Sequence, residues 1–317
     1  MELNDPVPLQ EANISIGEAH PPMVSVIIPC YNQASFLGEA IQSVLDQTYR
    51  QFEIIVIDDG SPDNIAEIIK GYPQVRLLKQ ANAGAAVARN NGMAHSCGDY
   101  LLFLDSDDRL MPGALETATG YLAQHPDMAF VTGHVQLIDK NGALLEIPGQ
   151  PVVKEHHFQT LLRSNYIWTP GVVVYRRSVF QNEKGFDAGA GGSADYELNI
   201  RLARKYAVGC HGKVVLEYRQ HGENMSSNYA YMLQSGVRVR RAQYNFVKGN
   251  RELRTAWRSG IRIVQDDVGE KLLHAMQGRP RTRKTNLWKE LQCLWKYYPK
   301  GLIKFFMQRA KRLLHLL

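Results

Sequence analysis

Apolar runs of five or six residues alternate with longer amphipathic segments from Met23 to Leu104, a pattern typical of buried strands separated by helices. The runs that predict strands are VSVIIP (24–29), FEIIVI (52–57), VRLLK (75–79) and DYLLFL (99–104). Helices are predicted between them at SFLGEAIQSVLDQTY (35–49), 63–71 and 84–95, with Ser35 as the first N-cap. This alternation predicts an α/β fold whose mostly parallel sheet is flanked by helices.

The regular alternation stops after Leu104. A helix is expected from Pro112 to Gln124, because proline suits the first helical position. The later segments are expected to be a strand at 128–139, a hairpin turn at 140–142, a strand at 171–177, a helix at 195–206 and a strand at 213–219. Helices are predicted beyond Asn228. We therefore predict a polar lead (1–22), an α/β domain (23–228) and a basic helical extension (229–317).

Charge is distributed unevenly along the 317 residues. The chain is 44% hydrophobic and 21% charged, which allows a sizeable core and excludes a largely disordered or low-complexity protein. Residues 1–234 contain 17 Lys/Arg and 26 Asp/Glu, whereas residues 235–317 contain 20 and 5, so the net charge of +6 conceals a basic C-terminal quarter. We expect chemistry in the first part and contact with an anionic surface or partner in the second.

The four cysteines predict neither a disulfide framework nor a thiolate zinc site, because they are widely scattered and form no CxxC pair. The first 20 residues are acidic and polar, unlike a signal peptide, and no apolar run approaches the length needed to span a bilayer. The sequence therefore predicts a cytoplasmic protein that is not integral to a membrane.

Polar residues follow three of the predicted strands, at PCYN (29–32), DDGS (58–61) and DSDD (105–108). Ligands of parallel α/β sheets bind beyond the carboxyl ends of the strands, so we expect these segments to converge on one cleft. In the third segment, three adjacent acids repel one another unless a cation lies among them, and carboxylate oxygens suit Mg²⁺ or Mn²⁺. The alternative is that these acids stabilise the N-terminus of the following helix. Asp108 lies close enough to do so, but Asp105 and Asp107 come too early in the chain.

Three other side chains near these strand ends have a functional and a structural interpretation. Asp58 either forms a simple turn or accepts a hydrogen bond from a ring N–H, which uracil, thymine and guanine offer and neutral cytosine and adenine do not. Tyr31 either stacks on that base or packs internally. Arg89 either reaches a base or diphosphate from its helix or is an ordinary surface residue.

The motifs together resemble a known family. VSVIIPCYNQASFLGEAIQSVLDQTY, FEIIVIDDGSPD and NAGAAVARNNGMAHSCGDYLLFLDSDDRLMPGALE resemble, in order and spacing, the inverting glycosyltransferases of family 2, of the bacterial surface-glycan type. The resemblance covers residue 24 to about 228. It implies a GT-A fold with a nucleotide-sugar half (23–110) and an acceptor half (111–228). It also implies transfer of a sugar from a nucleotide-diphosphate sugar, expected to be a UDP-sugar, to a hydroxyl of a glycan or lipid-linked acceptor.

The resemblance also implies roles for residues around the donor. The first acid of the DDGS turn, Asp58, would contact the base, with Tyr31 packing near it. The DxD element, Asp105 and Asp107, would hold Mn²⁺ or Mg²⁺ against the donor diphosphate, which suits the Lewis-acid role of such an ion. The residues expected to contact the nucleotide are Pro29, Tyr31, Asp58, Arg89, Asp105 and Ser106.

Two later segments complete the implied site. GSADYELNIRLA (192–203) resembles the family's ED pair followed by an arginine, which makes Asp195 the catalytic base and Arg201 the arginine on the acceptor side. The segment departs from the family at Ala194, where glutamate is common, which leaves acceptor contacts in doubt. Without the resemblance, Asp195 would be an ordinary N-cap. YRQHGENMSS resembles a YRxH segment and implies that His221 completes the metal site or lies near the diphosphate; the alternative is a solvated loop histidine.

The sequence leaves open whether the chain is catalytically active. The chain is either an active transferase or a catalytically silent domain of the same fold that binds a nucleotide sugar or a glycan. A nucleic acid is not an expected partner, because RNA-binding signatures are absent and the first 234 residues are acidic.

The C-terminal segment GLIKFFMQRAKRLLHLL has an apolar stripe opposite basic residues. The stripe is formed by Ile303, Phe306, Ala310, Leu313, Leu314 and Leu317, and Lys304, Lys311, Arg312 and His315 lie largely opposite. The stripe either lies on an anionic bilayer or packs on the catalytic domain. The first alternative would place the protein on the inner face of the cytoplasmic membrane.

Overall fold

The computed structural model describes residues 21–222, 224–277 and 287–314, which fold into two compact units. The first comprises residues 21–158, 166–188 and 194–221. The second comprises residues 159–165 and 189–193 with the described residues from 222 onward. The predicted polar lead, residues 1–22, lies outside the described residues apart from Pro21 and Pro22. The predicted division of the chain after residues 22, 110 and 228 stays a prediction.

The first unit is built around one mixed sheet. Its strands are β1 (Val24–Cys30), β2 (Phe52–Asp58), β3 (Val75–Lys79), β4 (Tyr100–Phe103), β5 (Arg109–Leu110), β6 (Met128–Ile138), β7 (Leu144–Glu146), β8 (Val173–Arg176) and β9 (Ala207–Arg219). The strand order is β3-β2-β1-β4-β8-β6-β9-β5, and β7 pairs with β6.

Six helices belong wholly or partly to this unit. They are α1 (Ala34–Leu45), α2 (Ile65–Ile69), α3 (Ala85–Ala94), α4 (Ala114–Gln124), α5 (His157–Arg163) and α6 (Ala194–Ala203). Short 3₁₀ helices in the chain lie at Pro170–Val172, Arg177–Gln181, Ala188–Ser193 and Met225–Ser227.

The predicted parallel arrangement holds throughout the first half of the sheet, but in the second half only β6 and β9 pair in parallel. Strands β1, β2, β3 and β4 pair in parallel, whereas β8 is antiparallel to both β4 and β6, and β5 is antiparallel to β9. Parallel neighbours need a crossover connection, usually a helix, and the regular strand–helix alternation ends after α4. The sheet is therefore mixed, and its parallel half carries the strand ends after which the DDGS and DSDD segments lie.

Local packing explains why the parallel half forms. All seven residues of β1 are buried, as expected for a strand covered on both faces. Helix α1 buries Leu37, Ala40, Ile41 and Val44, which recur at helical spacing on one face. Helix α3 approaches β1 closely at Gly92, where an added Cβ would clash with a methyl carbon of Ile27. This close approach requires glycine at position 92 and lets α3 pack directly against the middle of β1.

Two predicted helix starts are wrong, for identifiable reasons. Ser35 is not the N-cap of α1, since the helix begins at Ala34 and the backbone N–H of Ala34 donates to Asp63 Oδ2 at 2.9 Å. Helix α4 begins at Ala114 rather than Pro112. The residues before it are held in the sheet, because the N–H of Met111 donates to the Val215 carbonyl at 2.8 Å.

The second unit is helical, which confirms the predicted helical C-terminal extension. Its longer elements are α7 (Tyr229–Ala242), α8 (Tyr244–Val247), α9 (Arg251–Gln277), α10 (Leu287–Tyr297) and α11 (Pro299–Leu314). Its core is formed by Leu233, Val237, Leu272, Leu273, Met276, Cys293, Leu294, Tyr297, Tyr298 and Phe305. Across the described stretches of the chain, no helix combines the length and apolar character needed to cross a bilayer.

Candidate active site

The segments that follow β1 and β2 lie side by side. Cys30 and Asp58, the last residues of the two strands, are partners in the parallel ladder, and the Asp59 N–H donates to the Cys30 carbonyl at 3.0 Å. The N–H of Asn32 donates to Ser61 Oγ at 3.0 Å. The predicted convergence of PCYN and DDGS is therefore present.

The two acids of the DDGS turn have different surroundings. Asp59 Oδ1 accepts hydrogen bonds from Gln80 Nε2 and the Ala83 N–H, at 2.8 and 2.9 Å, and Asp59 Oδ2 accepts the Gly84 N–H at 2.9 Å. Asp58 Oδ1 accepts only the Ser61 N–H, at 2.9 Å, and Asp58 Oδ2 has no hydrogen-bond partner within the described part of the chain. Asp59 therefore holds the start of α3, while Asp58 keeps one carboxylate oxygen for a ligand.

Tyr31 and Pro29 differ in accessibility. Pro29 is buried within β1, whereas Tyr31 is 49% exposed immediately after the strand. An exposed aromatic ring beside a half-used carboxylate suits a planar heterocyclic ligand, because one group can stack while the other accepts a hydrogen bond. The internal packing considered as the alternative for Tyr31 does not fit this exposure.

The acidic loop after β4 crowds three carboxylates into a buried space. Burial, followed by the charge of Asp105, raises the pKa of Asp107. Burial also raises the pKa of Asp108 well above its ordinary value, with Asp107 and Asp105 adding to the effect. Thr169 Oγ1 lies 3.4 Å from an oxygen of both Asp105 and Asp108. The loop therefore favours an added positive charge.

The Asp107 carboxylate contacts the imidazole of His221 and the side-chain amide of Gln33. Its Oδ2 lies 2.9 Å from both His221 Nε2 and Gln33 Nε2. Gln33 also accepts the Ser106 hydroxyl at 2.7 Å, and Ser106 is only 1% exposed. His221 stacks on Phe36 with 5.2 Å between ring centroids, so it is not the solvated loop histidine of the alternative interpretation.

A buried arginine supports the same loop. Arg219 has no exposed surface, and its backbone N–H donates to Asp108 Oδ1 at 3.0 Å. Its guanidinium donates to the Asp107 carbonyl at 2.8 Å and to Glu39 Oε2 at 2.7 Å, and it lies 4.8 Å from the Phe36 ring centroid. The ring of Phe36 thus contacts both Arg219 and His221.

Arg89 connects the acidic loop with the proposed catalytic base. Its Nη2 donates to Asp105 Oδ1 at 2.5 Å, and its guanidinium lies 5.3 Å from the Phe186 ring centroid. Burial lowers the pKa of Arg89, but the charges of Asp105 and Asp195 offset this and the net direction is upward. Arg89 Nε is buried and has no hydrogen-bond partner among the described residues. The structure therefore excludes the alternative that Arg89 is an ordinary surface residue.

Asp195 lies in the first turn of α6, near the hydrogen-bonded pair of Tyr175 and Asn199. Its pKa is raised by burial and, to a smaller extent, by Asp105, while Arg89 acts in the opposite direction. A carboxylate with a raised pKa is suited to accept a proton near neutral pH. Tyr175, which interacts electrostatically with Asp195, donates its hydroxyl hydrogen to Asn199 Oδ1 at 2.6 Å.

Arg201 is engaged elsewhere. Its guanidinium forms an ion pair with Glu197, with a shortest distance of 2.8 Å, and donates to the carbonyls of Lys184 and Gly185 at 2.9 and 2.8 Å. These contacts join α6 to the segment before it. The role of Arg201 toward the acceptor stays a prediction.

The acidic loop suits a divalent cation only in part. Its buried carboxylates are hard oxygen ligands, but no three His, Cys, Asp or Glu side chains among residues 21–222, 224–277 and 287–314 are arranged to hold a metal ion. Asp105 is turned toward Arg89, and Asp107 toward His221 and Gln33. Mg²⁺ is commonly bound by one or two carboxylates together with substrate phosphates. The residues present fit such a partial site, which Asp105 and Asp107 would share with a diphosphate.

Three residues that contact the acidic loop were not predicted from sequence. Gln33, Thr169 and Arg219 contact the acidic loop but lie 74, 61 and 111 residues from their partners there. Arg219 precedes His221 by two residues, in the YRQH segment, and an arginine beside a suspected site histidine was an available signal. Gln33 and Thr169 have no comparable signal, because neither lies in a chemically distinctive pattern.

The chain matches proteins of one family. The family model described as glycosyl transferase family 2 matches residues 25–183, half of the chain. An uncharacterized glycosyltransferase, YibD of Escherichia coli strain K12, is 49% identical over 98 residues, covering 30% of this chain and 28% of that protein. An uncharacterized glycosyltransferase of Rickettsia felis is 34% identical over 208 residues, covering 64% of this chain and 34% of the relative. The chain thus spans about a third of the length of these curated relatives.

Solved structures agree on the fold. S. aureus TarS 1–349 in complex with UDP-GlcNAc has a TM-score of 0.59 at 19% identity, covering 87% of this chain and 80% of that chain. Mannosyltransferase PcManGT from Pyrobaculum calidifontis, in complex with GDP-Man and Mn²⁺, has a TM-score of 0.59 at 17% identity, covering 92% and 88%. These likenesses confirm the predicted GT-A fold. With the family model matching half of the sequence, the chain belongs to glycosyl transferase family 2.

Proposed function

We propose that this chain is an inverting glycosyltransferase that uses a nucleotide-diphosphate sugar as donor and a hydroxyl of a glycan or lipid-linked glycan as acceptor. The observation that carries the proposal is the electrostatic cluster of Arg89 with Asp105 and Asp195. It links the loop suited to the donor diphosphate with the one carboxylate suited to deprotonate an acceptor. A domain that only binds sugar would not need a base there.

The donor nucleotide would be recognised at the ends of β1 and β2. The unpartnered Oδ2 of Asp58 would accept a ring N–H, which favours UDP-, dTDP- or GDP-linked donors, and Tyr31 would stack on the base. Of the neighbours, TarS is in complex with UDP-GlcNAc and PcManGT with GDP-Man, which supports this donor range. We propose a UDP-sugar as the first to test. The contact of buried Pro29 and Ser106 with the donor stays a prediction.

The diphosphate would lie beside the acidic loop. Asp105 and Asp107, with His221 next to Asp107, would hold Mn²⁺ or Mg²⁺ together with the diphosphate oxygens. The cation would supply neutralisation of the leaving diphosphate. Arg219 and Gln33 would fix the loop in the required conformation, since both bind Asp107 directly.

Transfer would proceed by a single displacement. The acceptor oxygen forms a bond to the anomeric carbon, the bond from that carbon to the diphosphate oxygen breaks, and the acceptor proton passes to the Asp195 carboxylate. Attack opposite the leaving group inverts the configuration. The raised pKa of Asp195, caused mainly by burial, makes this carboxylate a stronger base than an exposed aspartate.

The cellular setting is proposed on separate grounds. All four cysteines, Cys30, Cys97, Cys210 and Cys293, are free, which supports the expected reducing, cytoplasmic compartment.

Calorimetric titration with UDP, dTDP, GDP and CDP, each with Mn²⁺ and with a chelator, tests the donor site. We expect Mn²⁺-dependent binding of one of the first three nucleotides and much weaker binding of CDP. The titration names the donor class for transfer assays. Absence of binding, or binding that ignores the metal, contradicts the proposed donor site.

The catalytic assignment is tested by Asp195→Asn, with Asp187→Asn as the matched control on a nearby exposed aspartate. Loss of the base is expected to reduce turnover by at least about 100-fold while nucleotide binding stays unchanged. Unchanged turnover in Asp195→Asn would remove the base from the mechanism. Nucleotide binding by a wild-type protein that transfers nothing to any acceptor would instead support the catalytically silent alternative.

A further inference from the structure

Helix α11 has an apolar stripe on its exposed side. Phe305 lies in the core of the second unit and Leu302 packs against that core, whereas Ile303, Phe306 and Met307 are 61%, 54% and 58% exposed. Positions 303, 306 and 307 recur at helical spacing, and exposed Ala310 continues the stripe. The side chains of Lys311, Arg312, Leu313 and Leu314, and residues His315 and Leu317, which were assigned to the two faces from sequence, lie outside the described residues.

Helix α10 also exposes large aromatic side chains. Trp288 and Trp295 are 75% and 72% exposed and lie seven residues apart, on the same side of the helix. The opposite side of α10 is buried in the core through Cys293, Leu294 and Tyr297. Tryptophan is the residue that most readily combines an apolar ring with a polar N–H at a boundary between water and lipid. We use the exposed apolar face as a collective name for the exposed apolar side chains of the two helices, Trp288 and Trp295 of α10 and Ile303, Phe306 and Met307 of α11.

The segments that carry these side chains are strongly basic in sequence. The α11 segment contains five lysines and arginines and no acid, and α10 contributes Lys289 and Lys296 against one glutamate. Residues 235–317 together have 20 Lys/Arg and 5 Asp/Glu. Large exposed apolar side chains are therefore carried by segments with a net positive charge.

We propose that the exposed apolar face binds the surface of an anionic phospholipid bilayer. A bilayer interface satisfies both properties together, since it accepts apolar side chains below negatively charged headgroups. A nucleic acid would meet the charge but not bury aliphatic side chains such as Ile303 and Met307. A second copy of this chain would bring two basic regions together at a cost in repulsion.

Co-sedimentation of the full chain with vesicles tests the proposal. Vesicles of equimolar phosphatidylglycerol and phosphatidylcholine are compared with vesicles of phosphatidylcholine alone. We expect at least about tenfold stronger binding to the anionic vesicles, and binding that weakens as salt is added. The assay contains no donor or acceptor, so its result is independent of the proposed transfer reaction.

A triple variant, Ile303→Ser/Phe306→Ser/Met307→Ser, separates the apolar contribution from the charge. Its binding to anionic vesicles is expected to fall at least about tenfold, because the apolar stripe no longer enters the interface. The matched control is Leu144→Ser/Leu145→Ser/Ile147→Ser in the first unit, where the three side chains are 57%, 52% and 59% exposed. We expect the control to bind like the wild type.

A second variant guards against a folding defect in the first. Trp288→Phe/Trp295→Phe alters two side chains that are almost fully exposed. The tryptophan emission of the wild type is expected to shift to shorter wavelength on anionic vesicles, and this shift is expected to disappear in the variant. Retention of the full shift in the variant would overturn the assignment of α10.

Each of three results with vesicles would overturn the proposal. They are absence of wild-type binding to anionic vesicles, equal binding to both vesicle types, and wild-type affinity in a folded Ile303→Ser/Phe306→Ser/Met307→Ser variant. Analytical ultracentrifugation supplies a further check. A wild-type dimer that dissociates in the triple variant would show that the face joins two copies of the chain, and would also overturn the proposal.

Discussion

The turn after β2 and the loop after β4 both place adjacent aspartates at the ends of parallel strands, yet they stabilise these carboxylates by different means. In the turn, Asp59 is held by two backbone N–H groups and one amide side chain. In the loop, Asp108 accepts one backbone N–H, from Arg219, whereas Asp105 and Asp107 are held mainly by side chains: Arg89, His221, Gln33 and the weaker contact of Thr169 with Asp105. Backbone donors are fixed by the fold, whereas side chains can rotate when a ligand enters. Asp59 is therefore structural, whereas the side chains that hold Asp105 and Asp107 can exchange partners.

The largest expected effect is a loss of stability on substitution of Arg219. This buried residue of β9 holds the acidic loop after β4. Arg219→Met removes the buried guanidinium from the Asp107 carbonyl and from Glu39. Glu39 is 46% exposed and water can solvate it, so the cost comes mainly from carbonyl oxygens such as that of Asp107 that lose their donor. We expect the free energy of unfolding to fall by about 2 to 3 kcal/mol. Urea denaturation monitored by circular dichroism measures it.

The matched control is Arg109→Met. Arg109 pairs with Glu39 at 3.0 Å and with Glu217 at 2.7 Å, but its side chain is 26% exposed, so water can replace part of what is lost. We expect a clearly smaller destabilisation. Equal losses in the two variants would contradict the view that burial of Arg219 sets the loop.

The next effect tests the turn directly. Asp59→Asn replaces one acceptor oxygen by a donor, so at least one N–H of Ala83 or Gly84 loses its carboxylate partner. Both residues are exposed and water can replace the acceptor, so we expect the loss of a net hydrogen bond, about 0.5 to 1.5 kcal/mol, and a thermal midpoint lowered accordingly in differential scanning calorimetry. Transfer chemistry should be unaffected at temperatures where the variant is folded.

Asp58→Asn is its counterpart and should show the reverse pattern. Oδ1 of the new asparagine keeps the Ser61 N–H, so stability should be nearly unchanged, but the amide nitrogen would face the ring N–H of the base. Two opposed donors are expected to weaken nucleotide binding by about tenfold in calorimetric titration. A stability loss in Asp58→Asn together with none in Asp59→Asn would reverse the distinction between the two acids.

The parts of the site that sequence alone predicts are those encoded by local pattern. The strands β1, β2 and β4 are continuous apolar runs, and Asp58, Asp105 and Asp107 follow them directly, so their convergence follows from parallel pairing. Local pattern also indicated α1, but its first residue was misplaced. The cap comes from Asp63, 29 residues away in a different turn.

The parts that sequence misses depend on pairing across the chain. Strand β5 has two residues and exists because Arg109 and Leu110 pair with Glu217 and Leu216. The sequence of residues 109 and 110 does not indicate that they pair with β9. The same reason applies to Gln33 and Thr169, whose side chains have no distinctive sequence context and contact the acidic loop only when distant segments are brought together.

The smallest expected effect is a shift in the pH dependence of activity. It concerns Arg89, which interacts with both Asp105 of the acidic loop and the proposed base Asp195. Asp195 must be ionised to accept a proton, and its pKa is raised by burial and by Asp105, with Arg89 opposing them and buried Tyr175 nearby. Arg89→Met removes the opposing charge, so the pKa of Asp195 should rise further. The acid side of the pH profile of kcat is therefore expected to move to higher pH, and activity at low pH should fall more than activity at high pH.

Two companion variants identify the cause of that shift. Arg89→Lys keeps the positive charge and should leave the acid side closer to its wild-type position, whereas Arg76→Met, on the partly exposed arginine of β3, should not move it. Damage to the Asp105 site alone would lower kcat by the same factor at every pH. A pH-independent loss in Arg89→Met would therefore show that Arg89 serves only the acidic loop, and that the loop and the base act separately.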